Sequence, residues 1–147
     1  MPGAESLRAG EYYAHPRNAF WHIMGELFGA TPGLPYTPRL RRLTDAGIAL
    51  WDALAECHRT GSLDAAIDRQ SAVANDLPSF LREHPKIGRI FFNGASAKRH
   101  FHRYVAKSLL LKHYTIQRLP STSPALAAVP YAAKRDAWRI LSNTVTR

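Results

Sequence analysis

The densest run of chemistry-bearing residues is Tyr12-Tyr13-Ala14-His15-Pro16-Arg17-Asn18-Ala19-Phe20-Trp21. Two tyrosines come just before a helix start that carries His, Arg and Asn. A helix N-terminus presents unpaired N–H groups and favours an anion, and adjacent rings are platforms on which a base can stack. The same residues also read more plainly: Tyr12 and Tyr13 pack in a core, while His15 to Asn18 only start and cap a helix. A second run, Leu119-Pro120-Ser121-Thr122-Ser123-Pro124-Ala125, is small, uncharged and pinned by two prolines. Its hydroxyls and backbone N–H groups suit phosphates, and a rigid loop can enter a groove as a wedge. It also reads as an ordinary strand-to-helix connection.

Other chemistries find less to work with. His100 and His102 are two apart on a predicted helix, so they point to different faces. The remaining histidines, at 15, 22, 58, 84 and 113, show no ligand spacing, and Cys57 alone cannot build a thiolate cage. Neither a metal nor any other cofactor is expected. No Gly-x-Ser-x-Gly nucleophile turn occurs, and the phosphate-cradling P-loop pattern is absent.

Positioning these runs requires elements around them. A helix is expected over 16–27, with Pro16 at its first position and Gly29 as its stop. Thr37-Pro38 predicts the N-cap and first turn of a helix ending near Gly47. Residues 47–51, 89–92 and 114–117 are short apolar runs that suit strands buried on both faces. Between the last two, Ala97, Phe101, Tyr104, Val105 and Leu109 share one helical face, and residues 130–141 close the chain as a helix with Trp138 and Leu141 inward. Strands alternating with helices predict an α/β domain with a parallel sheet, whose ligands bind beyond the carboxyl ends of the strands.

The chain has 147 residues, and 20 Lys and Arg against 11 Asp and Glu give a net charge of +9. That length fits one domain, residues 1–147, and the 46% hydrophobic content can fill its core. The positive excess attracts polyanions, nucleic acid first among them, although a basic face without such a ligand has the same composition. No apolar run is long enough to span a membrane, and the first residues lack signal-peptide order. A single cysteine suits a reducing cytoplasm. A cytoplasmic monomer is expected, nucleoid-associated in a bacterium.

In order along the chain, these segments resemble the uracil-DNA glycosylase superfamily, and within it the hypoxanthine-DNA (deoxyinosine) glycosylases. The matching pieces are Met1-Pro2-Gly3-Ala4-Glu5-Ser6-Leu7, the 12–21 run, Gly47-Ile48-Ala49-Leu50-Trp51-Asp52, Gly61-Ser62-Leu63-Asp64, Ile90-Phe91-Phe92-Asn93-Gly94 and the 119–125 loop. The His-Pro-x-Asn-x-Phe-Trp element is also similar to that of the mismatch-specific uracil/thymine glycosylases. The resemblance implies a three-layer α/β/α fold with a short, mostly parallel central sheet. It implies an enzyme that hydrolyses the N-glycosidic bond of a deaminated base flipped out of DNA. Alternatives are a mismatch-specific uracil/thymine glycosylase and a non-catalytic DNA-binding remnant of the fold.

By the same resemblance, Asn18 is the catalytic residue, its amide orienting water or stabilising charge at the sugar. Tyr13 stacks on the flipped base, and Asp52 and His15 join it in binding that base. Ser121, Thr122 and Ser123 serve the phosphates and the wedge. Asn93 belongs to the pattern without an assigned role. No lysine suits Schiff-base chemistry, so strand cleavage is not expected. The partner implied is DNA bearing hypoxanthine, uracil or xanthine. Relatives carry a hydrophobic strand and a Gly-Ser-Phe-Pro-Gly-like turn where this chain starts at Met1-Pro2-Gly3. A sheet lacking its first strand is therefore expected, with reduced stability and activity.

Overall fold

The computed structural model describes residues 1–61 and 63–143, and contacts divide them into two units. Ser62, from one of the matching pieces, lies outside the described residues. A helical unit holds Pro2–Leu50 and Pro120–Arg147 (described to residue 143), and a strand unit holds Met1 with Trp51–Leu119. Along the chain run α1 (Ala4–Ala9), α2 (Phe20–Phe28), α3 (Tyr36–Asp45), β1 (Leu54–Glu56), β2 (Val73–Ala74), α4 (Leu77–Glu83), β3 (Arg89–Asn93), α5 (Gly94–Tyr104), β4 (Thr115–Leu119) and α6 (Tyr131–Trp138). The mixed α/β class expected from the sequence is what the chain adopts.

In the strand unit, β3 and β4 pair in parallel, in register from Arg89 opposite Thr115 to Asn93 opposite Leu119. Parallel neighbours need a crossover, and α5 with the short turns after it supplies one. Gly94 makes this compact: its φ of 91° lets the chain leave β3 and enter α5 with no intervening loop. Phe92, Phe101 and Val105 form the core between strand and helix, flanked by Ala97, Tyr104, Leu109 and Ile116, as the predicted helical face requires. Two features differ from expectation. An antiparallel pair, β1 with β2, joins the parallel one. Residues 47–51, expected as a strand, form none, because no described segment takes their N–H and C=O groups in a ladder.

The helical unit packs around Phe20, Trp21, Ile23, Met24, Leu43 and Trp138, all buried. Phe20 meets Trp21 and Trp138 edge-on, with centroids 5.0 and 5.8 Å away. Gly29, at φ 71°, stops α2 as expected. The start of α2 does not lie at Pro16. Residues 15–18 instead close a turn in which the Asn18 N–H donates to the His15 carbonyl at 2.9 Å. Likewise Pro35, not Thr37, precedes α3, leaving Thr37-Pro38 inside its first turn.

Candidate functional site

Chain polarity and buried polar anchors in the helical unit place the 12–18 segment. Trp21 is 3% exposed, so its indole N–H needs a partner, and it donates to the Tyr12 carbonyl at 2.8 Å. The Tyr12 N–H donates to the Tyr36 hydroxyl at 3.0 Å. The Ala14 N–H donates to the hydroxyl of Ser6, a buried residue of α1, at 3.1 Å. The Arg39 guanidinium lies over the Trp21 ring at 4.6 Å and pairs with Glu11 at 3.1 Å. Backbone and side-chain ties thus hold the segment at Glu11, Tyr12 and Ala14, leaving Tyr13 at the centre.

Tyr13 has a φ of 56°, and it is the one non-glycine residue with positive φ among the described residues. A bulky side chain in that region is strained, and such strain gathers at functional sites. The half-buried ring stacks on Phe20, with centroids 4.0 Å apart and planes 27° apart. Tyr13 is therefore packed, as the plainer reading has it, and also rigidly presented, as a stacking platform must be.

Asn18 Oδ1 accepts the Phe20 N–H at 3.0 Å. This bond satisfies a donor of the first turn of α2 and fixes the orientation of the carboxamide. The Asn18 Nδ2 group donates to no protein atom among the described residues. His15 Nδ1 accepts the Arg17 N–H at 3.1 Å, which leaves the proton of a neutral imidazole on Nε2.

The loop after β4 joins this segment directly, because the Ala19 N–H donates to the Thr122 carbonyl at 3.0 Å. The loop is itself fastened: Trp138 Nε1 donates to the Pro120 carbonyl at 2.9 Å, and Lys134 Nζ to the Ser123 carbonyl at 3.0 Å. Burial pushes the Lys134 ammonium below its ordinary range. Ser121 and Ser123 are half-buried, and their hydroxyls accept the N–H groups of Ser123 and Ala125, both at 3.2 Å. Thr122 departs from the sequence expectation. At 1% exposure its side chain faces the interior, so its carbonyl, not its hydroxyl, serves the site.

Tyr13, His15, Asn18, Ser121 and Ser123 thus belong to one unit. Asp52 belongs to the strand unit, half-buried, with its carbonyl accepting Asn75 Nδ2 at 2.8 Å. Asn93 ends β3 in that same unit. Ser6, Trp21, Tyr36, Lys134 and Trp138 hold the site loops, and spacing alone gave no sign of this. Burial of their polar atoms is the signal, and it exists only once the fold does. Among the described residues, no group of three or more His, Cys, Asp or Glu is placed to hold a metal ion.

No family model matches the chain. A hypoxanthine DNA glycosylase of Methanosarcina acetivorans is 34% identical over 98 residues, 66% of this chain and 61% of the relative. One of Methanosarcina barkeri is 31% identical over 99 residues, 64% of this chain and 59% of the relative. The chain spans about six tenths of the length of these curated relatives. A solution structure from Methanosarcina acetivorans, carried under the provisional name uracil DNA glycosylase, superposes with a TM-score of 0.71. The match covers 95% of this chain and 85% of that one at 29% identity. In fold the chain is similar to a structure carried under the name uracil DNA glycosylase, and in sequence to relatives named hypoxanthine DNA glycosylase.

Proposed function

We propose that this protein is a monofunctional deoxyinosine-DNA glycosylase, hydrolysing the bond between hypoxanthine and deoxyribose in base excision repair. The observation that carries the reading is the junction of the Tyr13–Asn18 segment with the 121–123 loop through Ala19 and Thr122. A stacking ring, an oriented amide and a rigid loop are the parts a base-flipping hydrolase needs, and here they share one unit. The names of the sequence relatives support the same substrate.

In this mechanism the nucleotide leaves the duplex stack at a cost of a few kcal/mol, least at a mispair. Its base lies against Tyr13, and the 121–123 loop occupies the gap. The base departs with the electron pair of its C1′–N bond, as a delocalised anion. Water oxygen bonds to C1′, and the proton it releases neutralises the base. An amide cannot act as a strong base, so Asn18 works by placement and by complementing the charge that develops at the sugar. His15, with its proton on Nε2, is a donor for a base carbonyl.

The test incubates the protein with duplexes bearing hypoxanthine, uracil, xanthine or a G·T mispair, then cleaves abasic sites with alkali. Release of hypoxanthine, lost in Asn18→Ala, is the expected result. Preference for uracil or the G·T mispair would assign the mismatch-specific activity instead. Tight binding without release of any base would leave a DNA-binding remnant.

A further inference from the structure

The stretch from residue 84 to residue 135 contains no aspartate or glutamate, yet it holds half of the twenty lysines and arginines. Much of that charge is concentrated in the strand unit. Lys98, Arg99, His102, Arg103 and Lys107 run down the outer side of α5 and the turn that follows it. Arg118 joins them from β4. It stands opposite Phe92 in the ladder and shares the strand face of Ile116, which packs on the Phe92–Phe101 core. Strand alternation therefore sends Arg118 to the side that α5 covers. The six side chains are exposed and line one open cleft of about 600 Å³.

The arrangement costs stability as it stands. Arg99 with Arg103, and Arg103 with Lys107, are four residues apart, and like charges at that spacing repel. Arg8, Arg39, Arg135 and Arg139 each have a carboxylate partner. No cation of the cleft has one among the described residues. From Lys98 to Lys107 the stripe extends roughly 13 Å at helical rise. At one phosphate charge per ~1.7 Å of axis, duplex DNA presents about eight charges over that length. No Phe, Tyr or Trp lines the cleft, so it lacks the stacking surface that unpaired bases require.

We infer that this cleft is a second DNA contact, a sequence-independent seat for duplex phosphates that binds whether or not a lesion is present. The inference rests on the glycosylase reading for its choice of polyanion. Its chemistry is confined to charge: Arg and Lys neutralise phosphates and release counterions, which fixes register and carries no base information.

The experiment compares the wild type with Lys98→Ala/Arg103→Ala/Lys107→Ala/Arg118→Ala, using fluorescence anisotropy on an undamaged duplex across a salt series. Each lost phosphate contact lowers the salt slope by about 1, so the variant slope should be shallower by about 3 to 4. Excision of deoxyinosine at saturating protein should stay within about threefold, since phosphate contacts fix register and carry no base information. The milder pair Lys98→Gln/Lys107→Gln, with an expected drop of about 2, covers a quadruple variant that fails to fold. An unchanged slope would overturn the inference, and so would a loss seen only with single-stranded RNA. Should the slope fall while wild-type protein leaves deoxyinosine intact, the cleft stands and the excision reading fails. Should excision proceed with the slope unmoved, the reverse holds.

Discussion

The Ala19 N–H meets the Thr122 carbonyl at 3.0 Å, which ties the turn carrying Asn18 to the loop carrying Ser121 and Ser123. Residues more than a hundred positions apart become one constellation through a backbone bond that depends on no particular side chain. Perturbing either segment should therefore register at the other, and the predictions below exploit this.

Asn18 both accepts the first N–H of α2 and is the proposed catalytic amide, and two substitutions separate the roles. Asn18→Asp retains an oxygen for the Phe20 N–H, so stability should hold, whereas Asn18→Ala should cost about 1 kcal/mol. Both should lower single-turnover excision by ~100-fold or more, because the placed amide is gone. Full activity in Asn18→Ala would remove Asn18 from the chemistry.

At Tyr13 the ring and the backbone pull in opposite directions. Tyr13→Phe should excise hypoxanthine within a few-fold of wild type, since the face is kept. Tyr13→Gly relieves the strain of φ 56° but forfeits the stack on Phe20, so urea unfolding should shift little. Stacking on a base is worth about 1–3 kcal/mol, and the glycine variant should bind a deoxyinosine duplex correspondingly less well. Equal binding by the two variants would remove Tyr13 from the base site.

Ser6 acts at a distance from the chemistry. Removing its hydroxyl leaves the Ala14 N–H unpaired in a half-buried place, and a lost partner of this kind costs about 1–3 kcal/mol. Ser6→Ala should lower thermal stability and also slow excision, because Tyr13 and His15 flank the released residue. A variant destabilised yet fully active would confine Ser6 to folding.

Lys134 holds the 121–123 loop through the Ser123 carbonyl. That carbonyl also accepts the Leu126 N–H at 3.1 Å, so Lys134→Met strands no acceptor. Trading a buried ammonium for an apolar chain should change stability by no more than about 1 kcal/mol. Amide exchange around 121–125 should nevertheless quicken. Unaltered exchange would show that Trp138 and Ala19 suffice to fix the loop.

Tyr131 supplies a pH signature for the same unit. Burial first, then a 2.6 Å hydrogen bond to Glu26, pushes its phenol from the ordinary 10.0 up to about 12. The unfolded chain ionises near 10 and the folded protein only near 12, so stability falls as pH rises through that window. Tyr131→Phe should flatten the fall, as read by denaturant midpoints across the alkaline range. An identical decline in the variant would remove Tyr131 as its source.

Periodicity carried the crossover helix and its core face, because Ala97, Phe101 and Val105 answer to one rule of spacing. It failed at residues 47–51, where apolar composition suits a strand but pairing is a property of the neighbour. It also failed at Pro16, since a proline suited to a first helical position is equally suited to a turn. The candidate site was legible as a motif, Tyr-Ala-His-Pro-Arg-Asn, and as a rigid hydroxyl loop. Their junction was not, because a backbone bond between Ala19 and Thr122 leaves no mark on residue type. The inward side chain of Thr122 was hidden for a related reason: three neighbouring hydroxyl residues look alike until one is buried.

Both segments of the site end on an indole: Trp21 grips the Tyr12 carbonyl, and Trp138 grips that of Pro120. The remaining tryptophan, Trp51, is 44% exposed and lies in the strand unit. Replacing Trp51 with phenylalanine would leave a protein whose tryptophan emission comes entirely from the two anchoring rings. Opening of either segment would then redden and quench that light, so substrate engagement could be timed in a stopped-flow instrument without any attached dye.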